Sequence, residues 1–199
     1  RIMKANGIPV AGGYKVSESG QLVPGRQYIL KPVWEDGSLG ITEDSVFKYD
    51  GTAPAILKDK NDLHWFIEDF IDGREFNVSV KAGPDGPEIL PPAEMTFNGY
   101  PDDMPRIVSW KAKWEEDTFQ YDNSKRYFPD DLSERLRKNI RKAVLACWDV
   151  FGLRGYARVD FRVDGSGRIF VLEVNANPCL SPDAGFMAAA ARTGLTFND

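Results

Sequence analysis

The stretch Gly155-Tyr156-Ala157-Arg158-Val159-Asp160-Phe161, followed after a turn by Leu172-Glu173-Val174-Asn175-Ala176-Asn177-Pro178, decides how this chain is read. Tyr156 to Val163 alternates polar and apolar residues, Asp164-Gly165-Ser166-Gly167 carries turn chemistry, and Ile169 to Val174 is a second run of the same character. That pattern predicts a β-hairpin. Side chains two apart on a strand share a face, so Arg158, Asp160 and Arg162 point together, as do Glu173 and Asn175 on the partner strand. If the register makes these faces coincide, Asp160, Glu173 and Asn175 converge as oxygen donors. Two readings of them stay open. A polar hairpin face can be only a wet face, its Arg and Asp a surface ion pair of little energetic weight. Alternatively, carboxylates set into an apolar run cost free energy to bury unless a cation offsets it, and a hard ion such as magnesium suits this donor set.

With 199 residues, 42% of them apolar and 12% aromatic, the chain can bury the core of one large domain or of two smaller lobes. The net charge of -5, with no run of like charges, supplies neither a basic patch for nucleic acid nor a surface for anionic membranes. Any phosphate must therefore be held by local lysines and metal. Cys147, inside a helical pattern, and Cys179, in a loop, are too few for a zinc site or a disulfide framework, and such cysteine usage points to a reducing, cytoplasmic setting. No stretch reaches the apolar length of a membrane-spanning helix. The start, Arg1-Ile2-Met3-Lys4, has neither an initiator Met nor a signal-peptide pattern, so the expectation is a piece of a longer protein.

Along the chain, Arg1 to Asn6 reads as the end of a helix closed by Gly7. Gln27 to Leu30 is a short strand entering Lys31-Pro32, followed by the polar, Gly-bearing loop Val33 to Gly40. Trp65 to Ile71 and Glu75 to Lys81 read as strands that adjoin across Asp72-Gly73, the second carrying Phe76, Val78 and Val80 on one face. Arg106 to Trp114 is expected to be a strand, with Lys111 and Lys113 on one side of it. Asp130 to Ser133 opens a helix whose apolar positions Leu132, Leu136, Ile140, Ala143, Val144, Cys147, Trp148 and Phe151 recur at three and four residues, and Gly152 closes it. A last helix is expected over Ala184 to Arg192. Strands and helices mix without regular alternation, which predicts an α+β fold with mainly antiparallel sheets.

Four segments in order resemble the ATP-grasp superfamily, in its D-alanine:D-alanine ligase-like branch, over nearly the whole chain. They are Tyr28 to Pro32 with Asp36-Gly37-Ser38-Leu39-Gly40-Ile41; Phe66 to Phe76; Trp110-Lys111-Ala112-Lys113-Trp114; and the hairpin described above. No one of them is specific alone, but their shared order is. The resemblance implies two lobes clamping a nucleotide cleft, with residues 1–71 part of an N-terminal subdomain and residues 72–199 the C-terminal subdomain. It also implies a substrate domain upstream of this chain. Lys31, Lys113 and the amides around Ser38 to Gly40 would hold the phosphates of ATP, since glycine lets main-chain N–H groups approach an anion. Glu68 would accept from the adenine amino group, main-chain groups of Phe70 and Ile71 would read the adenine edge, and Glu75 would bind the ribose. Asp160, Glu173 and Asn175 would hold two Mg2+ ions, with Mn2+ as a substitute, and Arg158 would stabilise the oxyanion. The choice of Lys113 over Lys111 rests on the resemblance alone.

The implied activity is carboxylate-amine ligation through an acyl phosphate, with ADP and phosphate released. Its partners would be small-molecule carboxylate and amine substrates, without nucleic acid or membrane, and a homodimer is an admissible assembly. The chain departs from the ligase pattern at Gly37, where a serine is expected, and at Trp114, where a tyrosine is expected. It departs again at Pro178-Cys179, and at Ala184, where a serine should hold the second substrate. A different amino-acid or peptide acceptor is therefore expected. An ATP-dependent small-molecule kinase and a non-catalytic nucleotide-binding module remain the alternatives.

Overall fold

The computed structural model describes residues 1–198, which divide into two compact units. One comprises residues 11–71 and 97–125; the other comprises residues 1–10, 72–96 and 126 onward. The chain thus changes unit four times, after residues 10, 71, 96 and 125.

In the unit of residues 11–71 and 97–125, four strands form an antiparallel sheet: β1 (Gly13–Lys15), β2 (Gln27–Pro32), β3 (Val46–Lys48) and β4 (Trp65–Asp69), in the order β1-β4-β2-β3. Alternation in β2 and β4 sends Tyr28, Leu30 and Ile67 into a core with Leu22, Tyr49 and Leu57, and leaves Lys31, Phe66 and Glu68 on the other face. At roughly 1.5–3 kcal/mol for each large apolar side chain buried, this small cluster is what holds the sheet.

The other unit begins with the short helix α1 (Ile2–Ala5), closed by Gly7 at φ +69, after which Ile8 enters the core. Its sheet contains β5 (Gly73–Gly83), β6 (Gly86–Ile89), β7 (Ala93–Phe97), β8 (Ser124–Tyr127), β9 (Tyr156–Asp164) and β10 (Ile169–Asn175). The order is β10-β9-β5-β7-β8, with β6 also pairing β5. In the first unit again, α2 (Trp110–Trp114) and α3 (Phe119–Asn123) are single turns. The long helix α4 (Glu134–Val150) packs Leu136, Ile140, Val144 and Cys147 against Phe76, Val78, Val159 and Phe161 of the six-stranded sheet. Ser133 caps its start, its Oγ accepting from the Leu136 amide at 3.3 Å. Helix α5 (Gly185–Ala191) sets Phe186 edge-on against Tyr156 at 5.5 Å.

Three expectations are corrected. Arg106 to Trp114 is not a strand: Ser109 Oγ accepts from the Ala112 amide at 3.3 Å and starts α2. The strands on either side of Asp72-Gly73 belong to different sheets, because β4 is already flanked by β1 and β2, and β5 by β9 and by β6 and β7. Phe151, read as the last member of the apolar stripe, is the residue just past α4 and is exposed.

Candidate functional site

The hairpin residues come together because of an irregularity in β10. Ile169, Phe170 and Val171 pair in step with Val163, Arg162 and Phe161, but the next pair is Glu173 with Asp160, followed by Val174 with Val159 and Asn175 with Arg158. Leu172 is the extra residue of a β-bulge. In its absence from the pairing count, Val171 and Val174 both pack against the core while Glu173 and Asn175 both stand on the face of Asp160 and Arg158. Residues directly opposite on neighbouring strands share a face with Cβ atoms about 5 Å apart. Strand β5 extends the same face: Glu75 lies opposite Arg162, Asn77 opposite Asp160 and Ser79 opposite Arg158. Phe76, Val78 and Val80, buried on the reverse side, pin that orientation.

Arg158 donates from Nε and Nη2 to the two carboxylate oxygens of Asp160, each at 2.8 Å, and its Nη2 lies 3.8 Å from Glu173. Burial opposes its charge, but Asp160, Glu173 and Glu75 outweigh burial and hold its pKa above the ordinary arginine value. Asp160 is buried, whereas the Glu173 side chain is half exposed. Asn175 Oδ1 accepts from the Asn177 amide at 3.0 Å, and Asn177 Oδ1 accepts from the Tyr156 hydroxyl at 3.0 Å. Two carboxylates and a carboxamide, a donor set of the kind a hard divalent cation takes, lie on this patch, and the described residues contain no group of three His, Cys, Asp or Glu side chains placed for a metal. Glu75 pairs with Arg162 Nη2 at 2.9 Å, both side chains almost fully buried, and Arg162 Nη1 also donates to the Gly73 carbonyl at 3.1 Å.

In the other unit, Lys31 Nζ and Glu68 Oε2 lie 2.5 Å apart, on one face of β2 and β4 and largely buried. The Phe70 amide donates to the Gln27 carbonyl at 3.1 Å, so of the expected adenine-reading pair only Ile71 keeps an N–H uncommitted to a described residue. The loop after β2 turns through Gly37 at φ +60, Ser38 at φ +68 and Gly40 at φ +77, conformations that glycine adopts freely. Ser38 Oγ donates to the Val108 carbonyl at 2.7 Å, and Trp114 Nε1 donates to the Gly37 carbonyl at 2.8 Å. Residues two apart on a helix diverge by about 200°, so α2 separates Lys111 from Lys113. It is Lys113 whose Nζ reaches Gly37, within 3.8 Å of where a Cβ would stand.

The sequence reading missed Asn77 and Ser79 as members of the polar face. The signal was the complement of Phe76, Val78 and Val80: the intervening positions on a strand of known inward face must look the other way.

The family model described as the D-ala D-ala ligase C-terminus matches residues 25–199. The D-alanine--D-alanine ligase of Pseudoalteromonas translucida is 31% identical over 179 residues, covering 86% of this chain and 51% of the relative. That of Acinetobacter baumannii is 30% identical over 178 residues, covering 88% and 52%. The chain therefore spans about half the length of these relatives. Among solved structures, D-alanyl-alanine synthetase A from Vibrio cholerae superposes with a TM-score of 0.72 at 19% identity, over 98% of this chain and 59% of that one. The Bacillus anthracis D-alanine--D-alanine ligase complexed with ATP gives 0.68 at 19% identity, over 98% and 59%. These likenesses establish the fold: antiparallel sheets with helices, as in those ligases.

Proposed function

Because the chain belongs to the D-alanine:D-alanine ligase C-terminal family, an ATP-grasp family, we propose that it is the nucleotide-handling part of an ATP- and magnesium-dependent carboxylate-amine ligase. The observation that carries the reading is the bulge at Leu172, which turns Glu173 and Asn175 onto the face of Asp160 and Arg158.

In this reading Lys31 and Lys113 take phosphate oxygens of ATP, together with uncommitted amides of the Gly37 to Gly40 loop. Glu68 releases Lys31 and accepts from the adenine amino group, the Ile71 amide donates to the ring, and Glu75 binds ribose hydroxyls. Asp160, Glu173 and Asn175 hold magnesium, one or two ions, whose charge when bound offsets repulsion between the triphosphate and an anionic attacker. The substrate carboxylate attacks the γ-phosphorus and ADP leaves, giving an acyl phosphate. An amine then attacks the acyl carbon, phosphate departs with the C–O bonding pair, and the amine proton is lost to solvent, leaving an amide. Arg158 stabilises the oxyanion of that second step. No side chain need act as nucleophile, so positioning and charge neutralisation carry the catalysis.

The acceptor in this proposal differs from D-alanine. Gly37 presents no hydroxyl and its carbonyl already accepts from the Trp114 indole, and Ala184 presents no hydroxyl either, so two groups of the ligase pattern that would touch the substrate are gone. Incubating the full-length protein with ATP, magnesium and amino-acid mixtures, and following ADP, phosphate and amide product, tests the assignment. Phosphorylated substrate without amide would favour a kinase, and the absence of binding heat from magnesium-ATP would leave a non-catalytic module.

A further inference from the structure

The polar face of β5, β9 and β10 is a grid of rows, each row running across neighbouring strands. Glu75 and Arg162 form one row, Asn77, Asp160 and Glu173 the next, and Ser79, Arg158 and Asn175 the third. The roles proposed above use every residue of the middle row except Asn77. That residue is half-buried, directly across from Asp160 on the side away from Glu173, and its orientation is fixed by Phe76 and Val78, both fully buried on the reverse face. Its carboxamide makes no hydrogen bond to another described residue. Among the described residues no buried side-chain N or O atom lacks a hydrogen-bond partner, so the Asn77 carboxamide is in contact with solvent and open to a ligand from that side.

We infer that Asn77 is a further residue of the cation site, its Oδ1 accepting from water in the hydration shell of the ion that Asp160 binds. This rests on the magnesium-ATP reading of the face. The geometry suits the role: Cβ atoms of directly opposed residues lie about 5 Å apart, and an ion about 2.1 Å from an Asp160 oxygen keeps several waters. Waters on the β5 side of an ion held there would fall within reach of the Asn77 carboxamide, since Glu173 stands on the opposite side of Asp160. Magnesium relies on such outer contacts because it gives up its water reluctantly.

The test is Mn2+ binding to the full-length protein in the presence of ADP, followed by electron paramagnetic resonance, with ADP binding in chelator as a second readout. Replacing Asn77 by Leu, similar in size but without an acceptor, is expected to weaken Mn2+ binding about tenfold or more, the range for contacts of this kind, and to leave metal-free ADP binding unchanged. Asn77→Asp makes the acceptor anionic and should tighten Mn2+ binding. Asn77→Ser, smaller and polar, serves if the Leu variant does not fold, and is expected to show an intermediate loss. Mn2+ affinity within twofold of the parent in all variants that fold, or Asp weakening it as much as Leu does, overturns the inference while leaving the functional reading intact. A parent protein that binds no Mn2+ with ADP overturns both.

Discussion

Replacing Arg162 by Met tests whether the Glu75 carboxylate is held in place by its neighbour or merely lies beside it. The two side chains are 5% and 10% exposed and 2.9 Å apart, so neither charge is screened by bulk water as a surface pair would be. Removing one partner of such a pair strands the other charge, which costs about 3–5 kcal/mol, whereas replacing both with apolar groups of similar volume is often neutral or stabilising. Arg162→Met should therefore lower stability by about 3–5 kcal/mol, the Gly73 carbonyl also losing its 3.1 Å donor. At roughly 2–4 °C per kcal/mol for a chain of this size, the expected loss is about 6–20 °C in Tm. The double variant Arg162→Met with Glu75→Leu should recover most of that loss, giving a coupling energy of about 2 kcal/mol or more in a double-mutant cycle. Denaturant unfolding followed by circular dichroism measures all four corners. A single Arg162→Met that costs under about 1 kcal/mol, or a double variant as unstable as the single, would refute the reasoning, because the Glu75 charge would then be compensated by its other neighbours or by water rather than by Arg162.

Glu173→Gln should raise the magnesium requirement for nucleotide binding about tenfold or more, with little change in Tm because the side chain is half exposed; titration calorimetry at several magnesium concentrations would show it, and an unchanged dependence would take Glu173 out of the site. Burial pushes the Cys147 thiol up to about 11 from an ordinary 9.0. The unfolded thiol ionises first, so the folded state binds more protons between those values, and stability should fall as pH rises from about 9 to about 11. Cys147→Ala should flatten that part of the profile in denaturant unfolding. At pH 8 a thiol reagent should label the native protein once, at the exposed Cys179, whose pKa is lowered first by its hydrogen bond with Ser181; two labels would show that Cys147 is open to solvent.

What was legible in the sequence followed from period. Tyr156 to Val163 alternates cleanly, and β9 forms with Arg158, Asp160 and Arg162 on one face as read. The α4 stripe at three- and four-residue spacing is likewise the face that packs. What was not legible came from places where two periods compete or where pairing is non-local. Trp110-Lys111-Ala112-Lys113-Trp114 alternates like a strand, but its tryptophans are also four apart, and they stack at 6.0 Å as helix neighbours do. The Ser109 cap decides between them, since five residues offer a strand few ladder bonds and no partner was predicted for it. Asp72-Gly73 resembles a hairpin turn, yet β4 and β5 each acquire other neighbours on both edges, a fact set by residues distant in sequence.

The Leu172 bulge lies between these cases and matters most for the site. Strict alternation over Ile169 to Asn175 would put Ile169, Val171, Glu173 and Asn175 on one face, forcing two polar groups into the core or two apolar ones out of it. The adjacent apolar pair Val171-Leu172, followed by Glu173-Val174-Asn175, is a phase slip written into the sequence, and a single extra residue is the least disruptive way for a strand to absorb it. The energy that enforces the slip comes from packing: Val171 and Val174 both reach the core with it, and only one could without it. The placement of Glu173 and Asn175 beside Asp160 is thus driven by hydrophobic burial on the far side of the sheet. A variant that relieves the slip by making position 172 polar and position 173 apolar should lose the cation patch while keeping the hairpin.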